Sequence, residues 1–182
     1  TGGYENNPSA NESAFINGWF RTGDQGRFDE QGYLFLTGRL KEQINRGGEK
    51  IAPREIDDVL NLHPDIKQAV TFAVPHPTLG EDVAAAVVLK EDANVVEADI
   101  RIFAARQLAD YKVPSQVVIV DEIPKGPTGK LQRIGLAEKL AHALTARQEH
   151  NFVSPQNTCE RQLAEIWKQV LNVKQVGTRD SF

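Results

Sequence analysis

Residues 68–89 read QAVTFAVPHPTLGEDVAAAVVL, and this stretch decides the fold. Two apolar, β-prone runs, Gln68–Val74 and Val83–Leu89, flank a loop over residues 75–80 that contains proline and glycine. Runs of this length and composition, bounded by turn-forming residues, predict two strands. These two strands therefore form the predicted centre of the fold, with the remaining elements around them.

A helix is predicted directly before these strands. Pro53 stands where a helix can begin, because the first helical position tolerates a residue without an N–H group. Apolar residues then recur at helical spacing as far as the His63-Pro64 step, which ends the helix because proline disfavours helical backbone in the residue before it.

The pattern continues after the strand pair. A second helix is predicted over about 98–109, a third strand over 117–120 and a last helix over 134–144. Strands that alternate with helices predict the α/β (α+β) class, as a small three-stranded sheet with flanking helices.

The region before residue 52 predicts shorter β structure. Residues 27–28 and 33–36 flank the turn-like sequence 29–32, which predicts a hairpin, and the continuous apolarity of residues 33–36 predicts burial on both faces. Residues 38–51 predict strand pieces around a tight turn, because the pair Gly47-Gly48 permits positive φ angles.

The character of the sequence changes after Thr145. Residues 145–157 lack periodicity and predict a linker, and Thr158 is a candidate N-cap of a new amphipathic helix. Its apolar face is formed by Leu163, Ile166, Trp167, Val170 and Leu171. We expect this helix to begin a separate domain.

Composition excludes several classes of protein. The 182 residues carry 21 Lys and Arg against 25 Asp and Glu, a net charge of −4, which argues against binding to nucleic acid or membrane surfaces by bulk positive charge. No apolar run approaches the roughly 18 residues of a membrane helix. The single cysteine, Cys159, excludes an internal disulfide framework and favours a cytoplasmic location. The chain contains no methionine and begins at Thr1, so we expect it to be processed or cut from something longer.

The first candidate site joins Thr22-Gly23-Asp24 with Gly38-Arg39. A carboxylate after a glycine turn can accept hydrogen bonds from two adjacent hydroxyls, such as those of a ribose. A neighbouring arginine can bind sugar oxygens or neutralise a phosphate. The alternative is an aspartate in a β-turn beside a surface arginine.

The second candidate site is the loop 126–130, Gly-Pro-Thr-Gly-Lys. It is not a P-loop, because Pro124 stands where that motif needs glycine and Leu131 where it needs serine or threonine. A glycine-rich loop that presents Lys130 can neutralise charge developing on a phosphate or carboxylate, and the alternative is a solvated lysine. The four histidines have no metal-ligand spacing, which predicts no metal site.

Five motifs follow one another along the chain: Gly18–Asp24, Gly38–Ile44, Gly48–Ile56, Tyr111–Pro114 and Pro127–Arg133. Taken in this order, they resemble the C-terminal motif series of the adenylate-forming enzymes. This superfamily contains acyl-CoA synthetases, adenylation domains of nonribosomal peptide synthetases, and luciferases. The resemblance covers residues 1–142, and the wording of 44–51 is closest to acyl-CoA synthetases, including the oxalyl-CoA type.

The resemblance implies a role for five residues. Asp24 would bind the ribose hydroxyls of ATP and of the acyl-adenylate, with Arg39 beside it. Lys41 would be the hinge of a small rotating domain, and Gly48 would line the tunnel for a pantetheine arm. Lys130 would be the catalytic lysine that bridges the substrate carboxylate and the α-phosphate.

One position departs from the family. Many relatives carry lysine where Asn45 stands, so any role of that lysine in the thioester step is absent or displaced here.

The resemblance also implies a domain map. Residues 1–38 would end a large adenylation domain, 39–144 form its small C-terminal domain, 145–157 a linker, and 158–182 the start of an acyl or peptidyl carrier domain. The last assignment rests on residues 163–171 and on Asp180-Ser181-Phe182. The alternative is a simple helix docked on the same protein.

The leading hypothesis is an ATP-dependent, AMP-forming carboxylic acid ligase in a synthetase module with a downstream carrier domain. Its cofactors and partners would be ATP, magnesium, a carboxylic acid, and the phosphopantetheine of a carrier or coenzyme A. The isolated fragment is expected to be inactive, and the acid stays open. Two alternatives are a free-standing acyl-CoA synthetase and a non-catalytic interaction module on the same scaffold.

Overall fold

A computed structural model describes residues 2–126, 129–144, 153–171 and 175–178. The chain divides into two compact units, Thr1–Leu136 and Ala137–Phe182. In chain order, the elements are helix α1 (Pro8–Ala14), strands β1 (Phe15–Ile16), β2 (Trp19–Phe20), β3 (Asp24–Phe28) and β4 (Leu34–Arg39), a 3₁₀ turn (Leu40–Glu42), strands β5 (Ile44–Arg46) and β6 (Glu49–Ile51), helix α2 (Pro53–Leu60), strands β7 (Ile66–His76) and β8 (Gly80–Leu89), helix α3 (Glu97–Ala105), a second 3₁₀ turn (Asp110–Lys112), strand β9 (Gln116–Ile119), and helices α4 (Leu136–Lys139) and α5 (Thr158–Leu171). Residues 141–144 are also helical.

The sheet of the first unit is built on the antiparallel pair β7 and β8, in which Phe72 lies opposite Ala84. Strand β9 runs parallel to β8, with Ala85 opposite Val117. Strand β5 pairs antiparallel with β8 through Arg46 and Gly80, and β6 continues the sheet beyond β5. The α/β class is confirmed.

The sheet has five strands where the sequence predicts three. The two additional strands, β5 and β6, are three residues long each. Strand β5 joins β8 only at the first residue of β8, and β6 pairs with β5 alone. Segments of this length show too little periodicity for the sequence alone to predict that they join a sheet with strands far along the chain. The helix predicted over 134–144 is interrupted, since α4 spans Leu136–Lys139 and residues 141–144 are helical again after a turn.

The core of the first unit lies between the sheet and helices α2 and α3. One face of β8 contributes alternate residues, as expected for a half-buried strand. The buried members of this cluster are Ile44, Ile51, Ile56, Leu60, Ile66, Ala69, Val83, Ala85, Val87, Ile100, Ala104, Leu108 and Val117. The core thus fixes α2 against β7, and this contact places the buried side chain of Asp57 against the sheet.

The predicted hairpin is present as β3 and β4, but its predicted burial is wrong. Leu34, Phe35 and Leu36 remain 57%, 49% and 54% exposed. Burial on the second face needs a covering surface, and none of the described residues supplies one. A local apolar run predicts that a strand packs against other residues, but it does not identify those residues.

The second unit contains helix α5. The side-chain oxygen of Asn157 accepts a hydrogen bond from the Glu160 N–H at 2.9 Å, and the Glu160 carboxylate accepts one in return from the Asn157 N–H at 3.4 Å. Asn157 is therefore the N-cap, and Thr158 is the first helical residue rather than the cap. The linker residues 145–152 and the motif Asp180-Ser181-Phe182 lie outside the described residues.

Candidate active site

Asp24 and Arg39 face each other across the β3–β4 ladder. The Arg39 Nε lies 3.1 Å from Asp24 Oδ1, and the two side chains are 66% and 27% exposed. The preceding turn is held by the Asp24 N–H, which donates to the Thr22 hydroxyl, and by the Leu40 N–H, which donates to the Gly23 carbonyl at 2.9 Å. The carboxylate is thus pre-oriented while one side stays open to hydroxyl donors.

Lys41 lies two residues after Arg39, in the 3₁₀ turn that connects β4 to β5. Extended backbone flanks this turn on both sides, with φ of −117° at Arg39 and −60° at Gln43. The Lys41 side chain is exposed and makes no ion pair within the described part of the chain. The turn is therefore the segment that links the hairpin to the five-stranded sheet, and the role of Lys41 as a hinge stays a prediction.

The Gly47-Gly48 turn joins β5 to β6 with positive φ at both residues, +59° and +100°. A Cβ atom on Gly48 would meet nothing within 4 Å, whereas one on Gly47 would lie 3.2 Å from Leu79. The Gly47 N–H donates to the Leu79 carbonyl at 2.9 Å. Gly48 therefore borders open space, while the contact of Gly47 with Leu79 fixes the position of the turn.

An arginine–aspartate pair anchors this turn to β8. The Arg46 Nε lies 2.7 Å from Asp82 Oδ1, and the same oxygen accepts a hydrogen bond from the Val83 N–H at 2.8 Å. Burial pushes the pKa of Asp82 upward, but hydrogen bonds led by that of Arg46 outweigh it and hold the pKa below its ordinary value. Asp82 is therefore a charged, buried anchor.

Lys130 lies at the end of a closed loop. Lys125 and Leu131 form an isolated antiparallel bridge, and the Gly126 N–H donates to the Lys130 carbonyl at 2.8 Å. Gly129 has a φ of +74° and donates its N–H to the Gly126 carbonyl at 2.9 Å. The Lys130 side chain is exposed and makes no ion pair with any described residue. Pro127 and Thr128 lie outside the described residues.

The structure adds Arg133, to which the sequence analysis assigns no role. Its Nη2 lies 2.6 Å from Asp57 Oδ2, and its Nη1 donates to the Thr71 carbonyl at 3.1 Å. Its Nε lies 3.0 Å from Glu42 Oε2. We call Arg133 with Glu42, Asp57 and Thr71 the Arg133 clamp. Its one sequence signal is an aspartate on the apolar side of α2, since a carboxylate there needs a partner.

The structure brings two of the five predicted site residues, Asp24 and Arg39, into contact. Lys41 follows them along the chain, and Gly48 and Lys130 lie in separate loops. Among the described residues, no three His, Cys, Asp or Glu side chains are placed to hold a metal ion. Nor is any helix in the described ranges long and apolar enough to cross a membrane.

The family match and the related proteins point to the same family. Residues 55–130 match the AMP-binding enzyme C-terminal domain. The chain is 53% identical to a probable CoA ligase, CCL9, of Humulus lupulus over 81% of this chain and 28% of that protein. It is 53% identical to an oxalate–CoA ligase of Arabidopsis thaliana over 73% of this chain and 26% of that protein.

Solved structures show the same relationship. ATP-bound MatB from Rhodopseudomonas palustris superimposes with a TM-score of 0.71 at 35% identity, over 76% of this chain and 28% of that one. The chain thus spans little more than a quarter of the proteins it matches. It carries the C-terminal domain of the AMP-binding, acyl-CoA ligase family.

Proposed function

We propose that the protein encoded by the complete reading frame around this chain, called the full-length protein below, is an ATP-dependent, AMP-forming carboxylic acid–CoA ligase. The observation that carries the proposal is Lys130, an exposed lysine without an ion pair in the described structure, held at the end of a hydrogen-bonded loop. The similarity to CoA ligases supports coenzyme A as the acceptor, so we favour the free-standing acyl-CoA synthetase over the synthetase module expected first.

In the first half-reaction, a carboxylate oxygen of the acid attacks the α-phosphorus of ATP. The bond from that phosphorus to the pyrophosphate oxygen breaks, and the products are an acyl-adenylate and pyrophosphate. The Lys130 ammonium would lie between the attacking carboxylate and the α-phosphate, where negative charge concentrates. Asp24 would accept hydrogen bonds from the two ribose hydroxyls, with the Arg39 guanidinium holding its carboxylate at 3.1 Å.

In the second half-reaction, a thiol sulfur attacks the acyl carbonyl carbon. The bond from that carbon to the AMP oxygen breaks, the thiol proton passes to solvent, and a thioester and AMP result. The open space beside Gly48 would admit the pantetheine arm, after rotation about Lys41 has withdrawn Lys130. Asn45 offers no cation for this step, and its N–H is already bonded to Glu81 Oε2 at 2.7 Å.

Pyrophosphate exchange by the full-length protein tests the proposal. A panel of carboxylic acids that begins with oxalate should reveal exchange, and Lys130→Ala should lower it about 10²- to 10³-fold by removing charge stabilisation from the transition state. Lys125→Ala is the matched control, since Lys125 lies in the same segment and pairs with Glu122 at 2.8 Å. Exchange by Lys130→Ala at the wild-type rate would contradict the role of the lysine.

A second candidate replaces coenzyme A with the phosphopantetheine of a carrier domain that residues 158–182 would begin. The observation in its favour is the exposed apolar face of α5, where Leu163, Ile166 and Val170 are 51%, 55% and 68% exposed. The encoded residues after Phe182 decide between the two, because a carrier domain needs an attachment serine there. In that case, acyl transfer to the loaded carrier should outpace transfer to coenzyme A.

A non-catalytic module on the same scaffold is the remaining alternative. ATP binding by the full-length protein, lost on Asp24→Ala, would exclude it. Absence of both ATP binding and pyrophosphate exchange would favour it.

A further inference from the structure

We infer that Arg133 is a positioning residue that makes the Lys130 loop and the hinge turn, Leu40–Glu42, move as one body. This inference rests on the proposed function, because it concerns how Lys130 enters and leaves the site of adenylate formation. The argument uses the geometry of the Arg133 clamp and the position of its members along the chain.

The guanidinium of Arg133 contacts three acceptors from three elements, one through each of its nitrogens. Nη2 meets Asp57 of α2, Nη1 donates to the carbonyl of Thr71 in β7, and Nε meets Glu42 of the hinge turn. A planar guanidinium with donors in a fixed fork can hold three such directions at once, whereas a lysine ammonium is a point charge on a flexible stem.

The inner part of the clamp is fixed by the core. Asp57 is 6% exposed, and its Oδ1 accepts a hydrogen bond from the Thr71 N–H at 2.6 Å. Burial raises the pKa of the Asp57 carboxyl, and the nearby Arg133 charge opposes that rise. Arg133 is therefore tied to a buried group that needs it, so its own position is well determined.

The outer part of the clamp connects the two segments that move in the proposed mechanism, the hinge turn and the Lys130 loop. Glu42 directly follows Lys41, the proposed hinge, and its side chain is 27% exposed, so its contact with Arg133 is not a consequence of core packing. Arg133 lies three residues after Lys130, a span of at most about 11 Å between Cα atoms. Because Glu42 and Arg133 are in contact, a rotation of the backbone at Lys41 therefore displaces Lys130 as well.

The consequence differs between the half-reactions. Adenylate formation needs Lys130 placed to within a fraction of an ångström, whereas thioester formation takes place with Lys130 withdrawn. A loosened clamp should therefore impair the first step and spare the second. A residue that only stabilised the fold would affect both steps in parallel.

The test uses Arg133→Gln in the full-length protein and measures the half-reactions separately. Pyrophosphate exchange should fall about 10²-fold, the usual cost of an ångström-scale misplacement. Thioester formation from supplied acyl-adenylate should stay within about threefold of wild type. Arg133→Lys should not restore exchange, because one ammonium cannot replace the three-way fork. Equal loss in both half-reactions would overturn the inference.

A matched control and a milder variant keep the test decisive. Arg101→Gln removes an exposed arginine of the same unit, whose Nε donates to the Pro114 carbonyl at 3.0 Å, and should leave both half-reactions unchanged. Glu42→Gln weakens only the arm that faces the hinge and should lower exchange in the same direction as Arg133→Gln. If Arg133→Gln does not fold, Glu42→Gln alone decides, and unchanged exchange there would refute the coupling.

A readout independent of activity separates this inference from the proposed function. Amide hydrogen exchange at Gly126 and Gly129, whose N–H groups close the Lys130 loop, should be about tenfold faster in Arg133→Gln than in Arg101→Gln. If the wild type shows no pyrophosphate exchange with any acid but these amides lose protection, the proposed function fails while the mechanical tie stands. Unchanged protection at both glycines would refute the tie.

Discussion

Two arginine–aspartate pairs, each with a buried aspartate, hold the two loops to which we assign the chemistry. Arg133 meets Asp57 at 2.6 Å beneath the Lys130 loop, and Arg46 meets Asp82 at 2.7 Å beneath the Gly47-Gly48 turn. Both aspartates are 6% exposed. The same kind of contact, an arginine bound to a buried aspartate, thus fixes the loop that we assign to each half-reaction.

Burial is the largest single influence on the pKa of both aspartates, but the net direction of the pKa shift differs between the pairs. For Asp57, burial is the largest influence and its pKa is raised despite Arg133. For Asp82, burial is outweighed by hydrogen bonds, first that of Arg46, and its pKa is lowered. The comparison shows that a short arginine–carboxylate distance does not by itself measure how well a buried charge is compensated. The contacts of Asp57 leave its pKa raised, whereas those of Asp82 hold its pKa below the ordinary value.

The largest expected difference between the pairs is in stability. Arg133→Leu leaves Asp57 buried and unpaired, and should lower the free energy of unfolding by about 3–5 kcal/mol. Arg46→Leu should cost less, about 1–3 kcal/mol, because Asp82 keeps the Val83 N–H. Hydrogen exchange of the most protected amides of β8 measures both.

A neutral partner provides the control for this prediction. Asp57→Asn combined with Arg133→Leu should recover part of the stability, because an amide tolerates the loss of an ionic partner better than a carboxylate does. Equal losses for the two leucine variants, or no recovery in the double variant, would show that the two aspartates are equally compensated.

The second prediction concerns pH, where the two aspartates should act with opposite sign. The native state holds a proton on Asp57 above the ordinary pKa of 3.8, so stability falls as pH rises from there through the raised native pKa. Asp82 releases its proton more readily when folded, so its contribution is lost as pH falls below 3.8. Either slope is limited to about 1.4 kcal/mol per pH unit.

Asn variants separate the two contributions. Asp57→Asn should remove a decline of stability on the alkaline side of 3.8, and Asp82→Asn a decline on its acid side. Denaturant unfolding of each variant between pH 3 and 7 measures these slopes. The same sign of change in both variants would contradict the contrast.

The two anchors also show what the sequence can predict. Strands β7, β8 and β9 and helices α2 and α3 follow from local periodicity, whereas the roles of Asp24, Gly48 and Lys130 rest on motif order and stay predictions. The Arg133 clamp does not, because Arg133 meets Glu42 and Thr71 across 91 and 62 residues of chain. No local pattern encodes a contact over such a separation. The exposed apolar residues of β4 make the same point, since their burial depends on a surface outside their own segment.

The smallest expected effect comes from an ion pair that lacks a buried carboxylate. Lys112 Nζ lies 2.7 Å from Glu55 Oε1, and the glutamate side chain is 49% exposed. A hydrogen bond from Lys112 to Glu55 raises the lysine pKa, yet water can replace either partner. Lys112→Ala should therefore cost only about 0.2–1 kcal/mol by the β8 hydrogen-exchange measurement, and less at high salt. A loss as large as that of Arg46→Leu would mean that pairing distance, rather than burial of the carboxylate, sets the strength of these anchors.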